Sequence, residues 1–125
     1  KNIKLSGYLS LRDFNKSLLS SDMFLVILDN EASKFSIPSK ILNYICAGKP
    51  ILAIMDKGNL SARIILENNL GYVFEDNELH KIEELIKNNN KIDFNKYKNN
   101  AIKYQNENFN IIKISNKFLK FIFND

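Results

Sequence analysis

Cysteine and histidine each occur once, at Cys46 and His80. One cysteine excludes an internal disulfide and supplies no metal-ligand cluster. Cys46 is expected to be a small buried hydrophobe. His80 lies on an otherwise polar helix turn beside Lys81 and Glu83 and is expected to face solvent. Charge of one sign is also scarce in blocks: the lysines are scattered, and no run of five or six like charges occurs. The formal net charge of +4 suits an anionic ligand or an anionic membrane surface without implying nucleic acid. No uncharged stretch of 18 residues exists to cross a bilayer. The chain opens without a charged and then apolar leader, so a reducing cytoplasm is the expected setting. There is no GxGxxG for a dinucleotide and no GxxxxGK[ST] for a phosphate loop. Asp29 and Asp56 end apolar runs, but the acidic pair and lysine of a phospho-receiver domain are not in place. Internal repeats and low-complexity linkers are absent too. The 19 asparagines are a compositional habit from which no function is drawn.

What is present is an alternation of strand and helix signals over 125 residues, a length that suits one domain and one core. Residues 3–7 read as a short strand. Ser10 and Asp13 form a capping-box pattern ahead of Leu11, Phe14 and Leu18 at helical spacing. Residues 23–28 are a continuous apolar run of strand length, which predicts a strand covered on both faces. Pro38 opens a second helix carrying Ile41, Leu42 and Ile45, and Gly48 ends it. Residues 51–55 form a third apolar strand. A third helix carries Leu60, Ile64 and Ile65, and residues 72–74 make a brief fourth strand. Asp76 or Asn77 is expected to cap a helix with Leu79, Ile82, Leu85 and Ile86 on one face. Two further helices follow from Phe94. The last places Ile111, Ile114, Phe118 and Ile122 opposite Lys113, Lys117 and Lys120. That stripe is expected to be core or a domain-docking surface; lying on a membrane is the other use of a lysine-flanked amphipathic helix.

This pattern predicts an α/β domain: a Rossmann-like, four-stranded parallel sheet with helices on both faces, filling residues 1–125. Ligands of such sheets sit beyond the carboxyl ends of the strands. The windows that matter are therefore residues 7–10, 29–40, 56–60 and 75–77.

The informative window contains FSIPSKILNYICAGKP, residues 35–50. Together with the strand after it, this segment resembles the PSK-x-x-E-Y-x-A-x-GKP-I-L pattern of family 4 glycosyltransferases. KNIKLSGYLSLRDFNKSLLSSDMFLVIL and ENNLGYVFED agree with that family in order and spacing, as do the closing helices. The resemblance covers nearly the whole chain, though only residues 38–50 are specific. It implies the C-terminal, nucleotide-sugar-binding half of a GT-B fold, with the acceptor domain and the first part of the donor domain outside this chain. The activity implied is retaining transfer, without metal or cofactor, from a UDP- or GDP-type sugar to a cell-surface polysaccharide or lipid-linked acceptor. Its setting would be the cytoplasm or the inner face of the plasma membrane.

By the same resemblance Ser36, Ser39 and Lys40 hold the donor diphosphate, Asn43 holds the ribose, and Gly7, Tyr8 and Leu9 meet the nucleobase. Physical chemistry agrees for the phosphate. A helix start presents unbonded N–H groups and the positive end of its dipole, and Lys40 adds a full charge one turn in. Asn43 lies four residues from Ser39 and three from Lys40, on the same side. Two positions depart from the family: Asn43 stands where a glutamate usually binds the ribose hydroxyls, and Phe35 where many members carry another. No general acid or base is identifiable, and this chain alone is expected not to catalyse transfer. Two other readings stay open: a non-catalytic nucleotide-binding or scaffold module, and another GT-B enzyme such as a sugar-nucleotide epimerase.

Overall fold

A computed structural model describes residues 3–29 and 38–123. In chain order the elements are α1 (Leu11–Ser20), β1 (Phe24–Ile27), α2 (Ser39–Ala47), β2 (Ile51–Ile54), α3 (Leu60–Glu67), β3 (Gly71–Phe74), α4 (Leu79–Lys87), α5 (Phe94–Asn108) and α6 (Ile111–Phe123). Single 3-10 turns precede α4 and α5, at Asp76–Glu78 and Asn89–Lys91.

The three strands form one parallel sheet in the order β1-β2-β3. Register puts Phe24, Ile51 and Gly71 in one row and Val26, Ala53 and Val73 in another, both on the same face. That face is the core, closed by Ile41 and Ile45 of α2 and Ala62 and Ile65 of α3. Both crossover helices lie on this one face while the sheet grows in one direction, as right-handed β-α-β connections require. Close approach fixes one glycine: a Cβ on Gly71 would lie 1.9 Å from the Ile51 carbonyl oxygen. Gly48 ends α2 in the left-handed conformation, φ 69°, which a side chain would resist.

The opposite face is covered unevenly. Tyr72 and Phe74 of β3 share a groove with Lys81, Glu84 and Leu85 of α4, so α4 covers this side. Leu25 and Ile27 of β1 on the same face are 52% and 65% exposed. The continuous apolar run thus does not make β1 a strand covered on both faces; only Phe24 and Val26 are buried.

The α/β class with a Rossmann-like parallel sheet is present, but with three strands. Residues 3–7 form no strand. Ile3 and Leu5 are exposed, and Gly7 turns the chain at φ 61°. Two alternating apolar residues cannot make a strand without a neighbouring ladder to take their N–H and C=O groups. Among the described residues, none pairs beyond β1.

The long helix α5 crosses the amino ends of the strands. Gln105 donates through Nε2 to the Ile45 carbonyl at 2.8 Å, and Asn100 through Nδ2 to the Asn69 carbonyl at 2.9 Å. Ala101 joins the core between these anchors. The opposite, carboxyl edge of the sheet is left to the loops that a ligand would meet.

Candidate functional site at the carboxyl edge of the sheet

Among the described residues three segments meet this edge: the start of α2, the turn between β2 and α3, and the turn between β3 and α4. Pro38 sits at the N-cap of α2 in an extended conformation (φ −61°, ψ 120°). A proline has no side-chain acceptor to offer, and among the described residues no side-chain hydrogen bond caps this helix. The Ile41 N–H turns back to the Pro38 carbonyl at 3.0 Å, and the N–H groups of Ser39 and Lys40 lie outside the helical ladder. The end of α2 thus offers backbone donors and positive dipole to an anion.

Ser39, Lys40 and Asn43 are all exposed, while Ile41 and Ile45 point into the core. At about 100° per residue the three polar side chains fall within one arc of about 100° on the outer face. The structure therefore gathers three of the sequence-predicted residues on one strip. Ser36 and Phe35 lie outside the described residues. Gly7, Tyr8 and Leu9 sit in the irregular segment before α1, and the Tyr8 ring is wholly exposed (107%).

Tyr44, next to Asn43, faces inward. Its ring stacks on Phe24 with centroids 4.3 Å apart and planes 12° apart, and burial raises its phenol above the ordinary value. Cys46 does not behave as expected. It is exposed, because one residue past the buried Ile45 the helix has turned by about 100° toward solvent. His80 is exposed, as expected.

The β2–α3 turn is built from local side-chain caps. The Gly58 N–H donates to Asp56 Oδ1 at 2.6 Å, and the Ser61 N–H to Asn59 Oδ1 at 2.7 Å. Asn59 is buried in this role, as the N-cap of α3. The Ser61 Oγ is buried beneath it with no hydrogen-bond partner.

Sequence reasoning missed the ionic clamp between the second and third segments. Glu78 takes Lys57 on one carboxylate oxygen and Lys81 on the other, the latter at 2.7 Å, and also accepts the Glu75 N–H at 3.1 Å. Lys57 adds a backbone donation to Glu75 Oε1 at 3.4 Å. Bonds from Lys57, then Lys81, then the Glu75 N–H pull the Glu78 carboxyl down from 4.5 to about 2. The Lys57 ammonium is raised in turn, chiefly by its bond to Glu78. Glu75 and Glu78 form a capping box, so the helix start is capped by Glu75 and not by Asp76 or Asn77. Glu75 and Glu78 stand three apart in the sequence, the spacing of that motif, with Glu in the place of the usual Ser or Thr.

Among the described residues no group of three or more His, Cys, Asp or Glu side chains comes together in a way that could hold a metal ion. No helix there is long and apolar enough to cross a membrane.

Comparison with known proteins gives one relationship. The chain is 34% identical over 84 residues to a probable glycosyltransferase, WbjE, of Pseudomonas aeruginosa. The match takes in 67% of this chain and 21% of that relative, so it spans about one fifth of the relative's length. No family model matches the chain, and no solved structure does. The similarity relates the chain to the glycosyltransferases.

Proposed function

We propose that this chain is the nucleotide-sugar-binding part of a glycosyltransferase of GT-B architecture, allied to family 4. The observation that carries it is the first turn of α2: an end whose N-cap, Pro38, supplies no side-chain cap, at the carboxyl edge of a parallel sheet, with Ser39, Lys40 and Asn43 on its outer strip. The likeness to a probable glycosyltransferase supports the same direction.

In this proposal the donor diphosphate lies against the start of α2. The N–H groups of Ser39 and Lys40 and the Lys40 ammonium stabilise the negative charge that grows on the departing diphosphate. The helix end and lysine supply this charge compensation without a metal ion. Asn43, one turn on, donates and accepts with the ribose hydroxyls. Gly7, Tyr8 and Leu9 border the base. The sugar passes with retention to a polysaccharide or lipid-linked acceptor held by a domain outside these residues. Asn43, an amide where the family usually has a carboxylate, favours one second reading: a donor-binding module that does not itself transfer.

Calorimetric titration with UDP and GDP tests the proposal. Lys40→Ala is expected to weaken the preferred diphosphate roughly tenfold, the loss of one charge-assisted hydrogen bond. A nucleoside without phosphate should bind both proteins equally. Equal diphosphate affinity in wild type and Lys40→Ala would remove Lys40 from the site.

A further inference from the structure

We propose that Asp56 reads the donor sugar, accepting hydrogen bonds from its hydroxyl groups, and that this sugar is a neutral one. The assignment rests on the donor site proposed at the start of α2 and extends it from the diphosphate to the sugar.

The order of elements along the carboxyl edge gives the placement. α1 leads into the edge strand β1 and packs against α2; α2 packs on β1 and β2, and α3 on β3. The helical layer on the core face therefore runs α1, α2, α3, and the loops at the carboxyl edge follow the same order. A nucleotide sugar is a linear ligand of base, ribose, diphosphate and sugar. With the base at Gly7, Tyr8 and Leu9 before α1 and the diphosphate at Ser39 and Lys40, the sugar comes to the next loop, residues 56–60.

Most polar groups of that loop are already committed. The Gly58 N–H donates to Asp56 Oδ1 at 2.6 Å, Asn59 Oδ1 accepts the Ser61 N–H, and the Lys57 ammonium is paired with Glu78. The Ser61 hydroxyl is fully buried. Asp56 is different. It is half-buried at the end of the central strand, and its Oδ2 has no hydrogen-bond partner among the described residues. A partly desolvated carboxylate oxygen gains from a donor, and hydroxyl groups are the donors that a sugar brings. The acceptor is also held in place beforehand. The Asn59 N–H bonds to the Asp56 carbonyl at 3.0 Å, and Lys57, the next residue, is tied by its backbone to Glu75 and by its side chain to Glu78. Such an acceptor has little freedom left to lose on binding. Its charge selects the sugar class, because a sugar with its own carboxylate would be repelled.

Calorimetry of the full 125-residue chain with UDP, UDP-glucose and UDP-glucuronate, and with GDP and GDP-mannose, tests the assignment. The quantity read is the affinity for the nucleotide sugar relative to the bare diphosphate. Asp56→Asn keeps an Oδ1 acceptor for the Gly58 N–H, so the turn persists. It should lower that ratio about tenfold for the neutral sugars and leave the bare diphosphate bound at least as tightly. In the uridine series it should raise the relative affinity for UDP-glucuronate. A ratio unchanged in Asp56→Asn, with the diphosphate still bound, would overturn the role of Asp56 and leave the site on α2 standing. A wild-type chain that binds UDP-glucuronate as well as UDP-glucose would overturn the assignment of a neutral sugar. A chain that binds neither diphosphate would overturn the donor site itself, and the role of Asp56 with it.

Discussion

Tyr44 of α2 lies flat on Phe24 of β1, ring centroids 4.3 Å apart and planes 12° apart. This contact fixes the helix on the sheet one residue from Asn43, so the outer strip of α2 is held by an inner stack. Tyr44→Ala removes the stack and part of the seam around Ile41 and Ile45. It is expected to cost about 2–3 kcal/mol in chemical denaturation, while Tyr44→Phe keeps the ring and costs under about 1 kcal/mol. Equal loss in both variants would mean that the hydroxyl, not the stack, matters.

Asn43 is exposed beside Ser39 and Lys40, with nothing among the described residues that demands an amide there. If it meets ribose hydroxyls, a carboxylate should meet them more strongly, since charge-assisted hydrogen bonds are about twice as strong as neutral ones. Asn43→Glu is expected to tighten UDP or GDP binding by roughly tenfold, about 1.4 kcal/mol, in calorimetry. Unchanged or weaker binding would place the ribose elsewhere.

Glu78 ties the turn after β2 to the turn after β3, and its carboxyl is lowered from 4.5 to about 2 by Lys57, Lys81 and the Glu75 N–H. A carboxyl lowered in the folded state stabilises it fully above the unfolded value. That contribution is lost as pH falls through the folded value. Stability should therefore decline from about pH 4.5 down to about pH 2 through this group. Glu78→Gln should flatten that part of the curve and lower the plateau at neutral pH. Thermal melts from pH 2 to pH 7 read both effects. An unaltered acid limb would show that other carboxylates govern it.

The Ser61 hydroxyl is buried in the first turn of α3 without a partner. Leaving it unsatisfied has a cost, and alanine is also the better helix former. Ser61→Ala is expected to stabilise the domain by about 1 kcal/mol, measured by urea unfolding at constant m-value. Destabilisation would reveal a bonded role for the hydroxyl.

Much of this was legible in the sequence, for particular reasons. Pro38 and Gly48 punctuate α2 through backbone restrictions that tertiary context rarely overrides, and the helix runs between them. Ser10 and Asp13 announced α1 in the same way: the Asp13 N–H donates to Ser10 Oγ at 3.2 Å. Residues 3–7 failed because their alternation is local, whereas a strand needs a neighbour that no local pattern guarantees. Leu25 and Ile27 failed for the related reason that an apolar run says a face can be covered, not that it is. The Lys57–Glu78 clamp was hidden because its partners stand 21 residues apart and meet only when two loops end on one edge. The helix start at Ser39 and Lys40 was readable, since Pro38 already dictates the backbone geometry there.

The most direct test of a donor site at the start of α2 is an amide NMR titration of the chain with UDP, GDP and a nucleoside monophosphate. The account predicts shifts concentrated at Gly7, Tyr8 and Leu9 and from Ser39 to Asn43, larger for one diphosphate than the other. Absence of shifts at Ser39 and Lys40 with millimolar nucleotide, or shifts confined to other surfaces, would contradict it.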